Sequence, residues 1–117
     1  MNLFTYGTLM DPAVWARVAQ EECPTERAVL HGYEARRLRE VTFPGLIEAP
    51  GCETPGLLYR GVSAAAMARL DAYEDDCYLR VPLTILTEIG CPETAEVYLI
   101  APAHRSLVLD ERWLPPV

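Results

Sequence analysis

The chain is short of the residues that metal, polyanion and membrane chemistry need. It has two histidines, His31 and His104, and four cysteines, Cys23, Cys52, Cys77 and Cys91, spread apart without a C-x-x-C pair. That spacing encodes no metal site, and no cofactor motif is present, so neither metal nor cofactor is expected. Lys and Arg number 10 against 17 Asp and Glu, for a formal net charge of -7. Nucleic acid is therefore excluded as a partner, because phosphate backbones are bound through concentrated Lys and Arg. The one basic cluster is Arg36, Arg37 and Arg39; at strand spacing Arg37 and Arg39 share a face and Arg36 points away, which reads as a solvated sheet face. MNLFTYGTLM offers no basic leader region, and no long apolar run follows, so neither a signal peptide nor a membrane partner is expected. A cytoplasmic location is the expectation, with the four thiols free rather than paired.

At 117 residues, half of them hydrophobic, the length fits a single domain spanning 1–117 with a real core. No repeat, low-complexity segment or linker is visible. Leu3 to Tyr6 is apolar and β-prone and runs into the turn Tyr6-Gly7-Thr8-Leu9. Asp11 before Pro12 reads as an N-cap with proline at the first helical position, predicting a helix over 12–20. A glycine turn between strand and helix presents unpaired backbone N–H groups suited to a carboxylate or oxyanion, although an ordinary connection has the same appearance.

Arg27 to Leu38 reads as a long strand bent at Gly32. Pro44-Gly45 and Pro55-Gly56 read as turns, with two strands flanking an acidic loop near Glu53. Tyr78 to Ile89, the turn Gly90 to Pro92 and Ala95 to Ala101 form a hairpin, with Pro82 marking an edge or a bulge. The tail from Pro102 onward has no clear period and is expected to be irregular, with Leu107, Leu109 and Trp113 able to pack over the sheet. Strands that outnumber helices predict an α+β fold: a small, strongly curved, mainly antiparallel sheet or barrel with two main helices.

The stretch Ser63 to Arg80 carries the chemistry. Ser63 is a good N-cap and the following alanines and Met67 are strong helix formers, so a helix is expected from Ser63 to about Asp75. At ~100° per residue, Glu74 falls between Met67 and Leu70 on the apolar stripe. A carboxylate facing the interior has its pKa raised by desolvation, as a general base requires. Periodicity alone leaves the alternatives that Glu74 turns out to solvent or pairs with Arg69 or Arg80. Cys77 beside a histidine would be a candidate nucleophile, but no local signature accompanies it.

Two stretches together resemble the gamma-glutamylcyclotransferase-like family: FTYGTLM over 4–10 and LDAYEDDCYLRVPLTI over 70–85. The first is similar to the family's Tyr-Gly-Ser/Thr-Leu substrate loop, the second to its Leu-Asp-x-aromatic-Glu segment. Gly32-Tyr33, Phe43 to Leu46, Pro55-Gly56 and the AEVYL that contains Tyr98 match in the same order, so the resemblance spans nearly the whole chain. It resembles the gamma-glutamylamine branch most. The resemblance implies a barrel-like α+β fold and a cavity between the Tyr6 loop and the helix bearing Glu74. It also implies Glu74 as the catalytic base, and Tyr6, Gly7, Thr8, Leu9 and Tyr98 as substrate-binding residues. The implied partner is a small gamma-glutamyl compound whose α-amine attacks its own γ-carbonyl, releasing 5-oxoproline and a free amine without metal or cofactor. One departure is Asp75, where the family usually has glycine; a second carboxylate there bears on the titration of Glu74. The alternatives are a non-catalytic metabolite-binding domain of the same fold, and a partner-binding protein using the apolar residues of the tail.

Overall fold

The computed structural model describes residues 1–41 and 43–113, together with the backbone but not the side chain of Asp75. The order of elements is β1 (Leu3–Thr5), a 3-10 turn (Thr8–Met10), α1 (Pro12–Ala19), β2 (Thr25–Leu38), β3 (Pro44–Tyr59) and α2 (Ala64–Glu74). A second 3-10 turn (Asp75–Cys77), β4 (Tyr78–Thr87), β5 (Pro92–Ile100), a third 3-10 turn (Pro102–Leu107) and β6 (Val108–Arg112) follow. The sheet runs β3-β1-β5-β4-β2-β6, and an added pairing of β3 with β2 closes five of the strands into a barrel with β6 on its edge. All pairings are antiparallel except β1 with β5. The expected α+β barrel with two main helices is the fold observed. No helix among the described residues is long and apolar enough to cross a membrane.

Local chemistry sets the helix ends. The Asp11 carboxylate accepts from the Ala13 amide at 2.9 Å, Pro12 opens α1, and Gln20 closes it in the left-handed conformation. The Ser63 hydroxyl accepts from the Ala66 amide at 3.0 Å and so caps α2. These caps occupy donors that a helix cannot satisfy internally. Alternation along the strands gives the barrel two buried faces. Phe4, Leu30, Leu46, Leu58, Ile85 and Val97 belong to the cluster that fills it. Leu3, Tyr59 and Tyr98, their neighbours of opposite parity, pack with Trp15, Met67 and Leu70 of the two helices.

The bend in β2 lies where expected. Gly32 has φ +85° and the β2–β3 register shifts between His31 and Tyr33. Across this irregularity, where β3 advances five positions for two of β2, burial moves from even positions, Ala28 and Leu30, to Ala35. Pro82 sits where β4 pairs with β5 alone, an edge as expected.

Two expectations are corrected. Pro44-Gly45 and Pro55-Gly56 are not turns between separate strands; both lie within β3, whose 16 residues pair with β2 from end to end around an exposed middle. Glycine is needed there for close packing. A Cβ on Gly56 would lie 2.1 Å from the Thr5 carbonyl oxygen and 2.7 Å from the Phe4 ring, and one on Gly45 would lie 2.9 Å from Leu38. The tail is also more regular than expected. β6 pairs with β2, the Trp113 amide donates to Ala35 O at 2.8 Å, and Asp110 and Arg112 form ion pairs with Arg36 and Glu34 at 3.1 and 3.3 Å. Leu107 and Trp113 are partly buried and pack against the core. Pro115 and Pro116 lie outside the described residues.

Gly56 therefore yields a test. Gly56→Ala is expected to cost on the order of 3 kcal/mol or to abolish folding, because the obstacle is backbone that cannot move aside. The exposed Gly51, at φ +87° with open space around it, should accept Asn at a cost of about 1 kcal/mol or less. Urea denaturation of both variants checks this, and a Gly56→Ala chain as stable as the parent would contradict the packing.

Candidate active site

A concavity of about 330 Å³ opens between the loop after β1, the start of β3, the end of α2 and strand β5. It is lined by Phe4 to Leu9, by Phe43 and Pro44, by Tyr73, Glu74, Cys77 and Tyr78, and by Tyr98. Its size suits one small molecule. Glu74 and Gly7, 67 positions apart in the chain, face the same space.

The loop is fixed by packing from below. Trp15 of α1 stacks on Tyr59 with ring centroids 3.6 Å apart, and the Tyr59 hydroxyl donates to Leu9 O at 2.7 Å. Leu9 itself is buried, and Gly7 lies so close to Pro44 that a Cβ would come within 2.9 Å of the proline ring. The Gly7 and Thr8 carbonyls accept from Met10 and Asp11 at 3.0 and 3.1 Å. Among the described residues, the amides of Gly7, Thr8 and Leu9 donate to no protein acceptor, so the loop offers N–H groups. Tyr6 contributes differently from its neighbours: its ring is buried in the barrel cluster and its hydroxyl donates to the Tyr98 carbonyl. The Thr8 hydroxyl lies 3.5 Å from that of Tyr73 at the cavity mouth.

Glu74 follows the buried face of α2. Met67 and Leu70 are fully buried, and Glu74, next on the same stripe, is half-buried. Neither proposed ion pair forms: Arg69 donates to Ala19 O at 2.9 and 2.6 Å, and Arg80 binds Asp71 and Glu96. Among the described residues Glu74 has no ion-pair or hydrogen-bond partner, and the lining contains no Arg, Lys or His. Burial, reinforced by the nearby charge of Asp71, pushes its carboxyl up to about 7. The hydroxyls of Tyr78 and Tyr98 are held well above their ordinary range, first by burial, with the Glu74 charge adding to it. They remain neutral. Asp75 continues the chain into the 3-10 turn; its side chain lies outside the described residues.

The structure brings together all the expected positions, Tyr6, Gly7, Thr8, Leu9, Glu74 and Tyr98. Sequence reasoning missed Tyr73, Tyr78, Phe43 and Pro44 as cavity walls, and Asp71 beside Glu74. A signal existed for Asp71: it precedes Glu74 by three positions and so shares its helix face. Cys77 lines the cavity with no histidine among the lining residues, so the thiol lacks the base that a nucleophile would require. Among the described residues, no group of three or more His, Cys, Asp or Glu side chains converges as metal ligands would.

Known proteins are similar to this chain in sequence and in fold. The chain is 32% identical over 85 residues to Protein AIG2 C of Arabidopsis thaliana, covering 73% of this chain and 52% of that protein. It spans about half the length of the curated relatives it matches. A solution structure from Arabidopsis thaliana matches at TM-score 0.81 and 25% identity, over 93% of this chain and 74% of the other. A crystal structure of an AIG2-like protein from Mus musculus matches at TM-score 0.70 and 23% identity, over 97% and 87%, a likeness of fold alone. The model of the family "Gamma-glutamyl cyclotransferase, AIG2-like" matches residues 3–115, and the chain belongs to that family.

Proposed function

We propose that the cavity binds a gamma-glutamyl amide and that the chain is a cyclotransferase, releasing 5-oxoproline and a free amine. The observation that carries this reading is a carboxylate without a counter-ion, ionising at about 7, in the same cavity as a loop of unpaired amides. Family membership supports it. In the reaction, Glu74 takes a proton from the substrate's α-ammonium. The freed amine attacks the γ-carbonyl and forms the ring C–N bond, while the carbonyl electron pair moves onto oxygen. Collapse of that tetrahedral species returns the electron pair to the carbonyl and breaks the bond to the leaving nitrogen, which receives the proton from Glu74. The ring nitrogen then gives its second proton to the freed carboxylate, which passes it to the released amine and is ionised again. The amides of Gly7, Thr8 and Leu9 supply donors for substrate oxygens, and the enclosing walls hold the chain curled so that amine and carbonyl meet.

Tyr6 serves this arrangement as a support, and Tyr98 as a wall beside the base. The nucleophile belongs to the substrate, so the reaction as written calls for no metal or cofactor. The whole molecule is acidic, but a local set of N–H groups binds a single carboxylate irrespective of net charge.

A panel of gamma-glutamyl amines and amino acids, assayed for 5-oxoproline, tests the reading. Turnover of at least one compound is expected; saturable binding with no product from any of them would instead indicate the non-catalytic binding domain. Glu74→Gln should remain folded and lose on the order of a hundredfold to ten-thousandfold in kcat, the usual range for a positioned base. Wild-type turnover by that variant would place the base elsewhere.

The raised pKa also gives two pH tests. Only ionised Glu74 accepts the proton, so kcat should rise with pH through about 7 and then level off. A profile flat across that range would count against Glu74. Stability should run the other way, because an acid whose folded pKa lies above its unfolded value costs stability as pH rises between the two. Glu74→Gln should thus match the wild type near pH 4 and exceed it above about pH 7 by roughly 3 kcal/mol in urea denaturation. Equal stability at both pH values would show that the carboxylate is not desolvated.

A further inference from the structure

Each tyrosine hydroxyl whose proton can be traced at this cavity gives that proton to the protein. Tyr6 donates to Tyr98 O, Tyr78 to Pro44 O, and Tyr98 to Asp71 Oδ1 at 2.7 Å. A hydroxyl has one proton and two lone pairs, and a carbonyl or ionised carboxylate can only accept. The direction of each bond is therefore fixed. Of these three, Tyr98 has a partner that the rest of the cavity does not require, and that partner is itself restrained. Arg80 grips Asp71 with both arms, Nε to Oδ1 at 2.8 Å and Nη2 to Oδ2 at 3.1 Å, while its Nη1 donates to Glu96 at 2.5 Å. The β4–β5 register sets Arg80 directly opposite Tyr98, so both reach the same carboxylate on α2, one turn before Glu74.

We propose that Asp71, held by Arg80, is a positioning residue: it takes the Tyr98 proton and leaves Tyr98 presenting only lone pairs, so that Tyr98 and Glu74 together receive a ligand's α-ammonium. The inference rests on the cyclotransferase reading only for what happens to that ammonium afterwards. It makes the cavity polar in a definite sense, with an accepting wall at Glu74 and Tyr98 and a donating loop at Gly7 to Leu9. The ligand class that fits is a zwitterionic α-amino acid carrying a neutral side-chain amide. Removing Asp71 returns the proton to Tyr98, whose hydroxyl can then point a donor at a cation.

The test compares L-glutamine with glutaramate, the same molecule without its α-amine. Binding is measured by calorimetry with ammonia release followed in parallel. At about pH 8 Glu74 is ionised whether or not Asp71 is present, so its titration does not enter, and Tyr6, Tyr78 and Tyr98, which face it from the loop after β1, from β4 and from β5, stay neutral. The wild type should bind glutamine at least about tenfold more tightly than glutaramate, the scale of a hydrogen bond to a charged group. Asp71→Ala and Tyr98→Phe should each compress that ratio severalfold, and the double variant should compress it no further than either alone. A purely structural role for Asp71 would weaken both ligands alike and leave the ratio untouched, overturning the proposal. So would a wild type that does not discriminate, or a double variant that loses the product of the single effects. Where Asp71→Ala fails to fold, Tyr98→Phe, which keeps the ring, decides: an unchanged ratio contradicts the proposal. Discrimination by the wild type without 5-oxoproline from any gamma-glutamyl compound would leave this inference standing and remove the cyclotransferase reading.

Discussion

Glu74 is a carboxylate set into a wall of tyrosines, with no cation among the described residues to balance it, and much of the molecule reads as a support for that one unfavourable placement. The same desolvation that lifts its pKa to about 7 costs stability at neutral pH. A neighbouring arginine would relieve the strain and abolish the basicity. Instead Arg80 is turned onto Asp71 and Glu96, and Arg69 onto a backbone carbonyl. The fold offsets the cost elsewhere, by burying Met67 and Leu70 on the same helix face against the outside of the barrel.

The second requirement is a rigid donor loop opposite. Leu9 buried under α1, the Tyr59 hydroxyl on its carbonyl and the Trp15–Tyr59 stack anchor that loop from the core side. Gly7 lets it approach Pro44 at the mouth of β3. Barrel, helices and loop are thus one packing problem: β3 brings Pro44 to the cavity at one end and Tyr59 beneath the loop at the other.

What could be read from the sequence divides along the range of the interaction. Asp11 and Ser63 cap helices through neighbours two and three positions away, and the β4–β5 hairpin and the Gly32 bend are equally local. Helix geometry set Glu74 on the apolar stripe while leaving its direction open, and its proposed role came from the family motif. The Pro-Gly pairs misled because what excludes a Cβ at Gly56 is Thr5 and Phe4, some fifty positions away. The tail strand was missed because only the edge of β2 gives its short run a partner. For the same reason the pairing of Arg80 with Asp71 was not legible. Their meeting with Tyr98 depends on strand register and on the seating of α2, which no local pattern encodes.

The ionisation of Glu74 is the hinge of this account, and it can be observed directly. Carbon-detected NMR titration of the glutamate side-chain carboxyls, with the Glu74→Gln variant to assign the resonance, gives the midpoint without reference to any substrate. A midpoint near 7, well separated from an ordinary carboxylate, is the predicted result. A midpoint at about 4.5, that of a solvated glutamate, would contradict it and leave the cavity without its base.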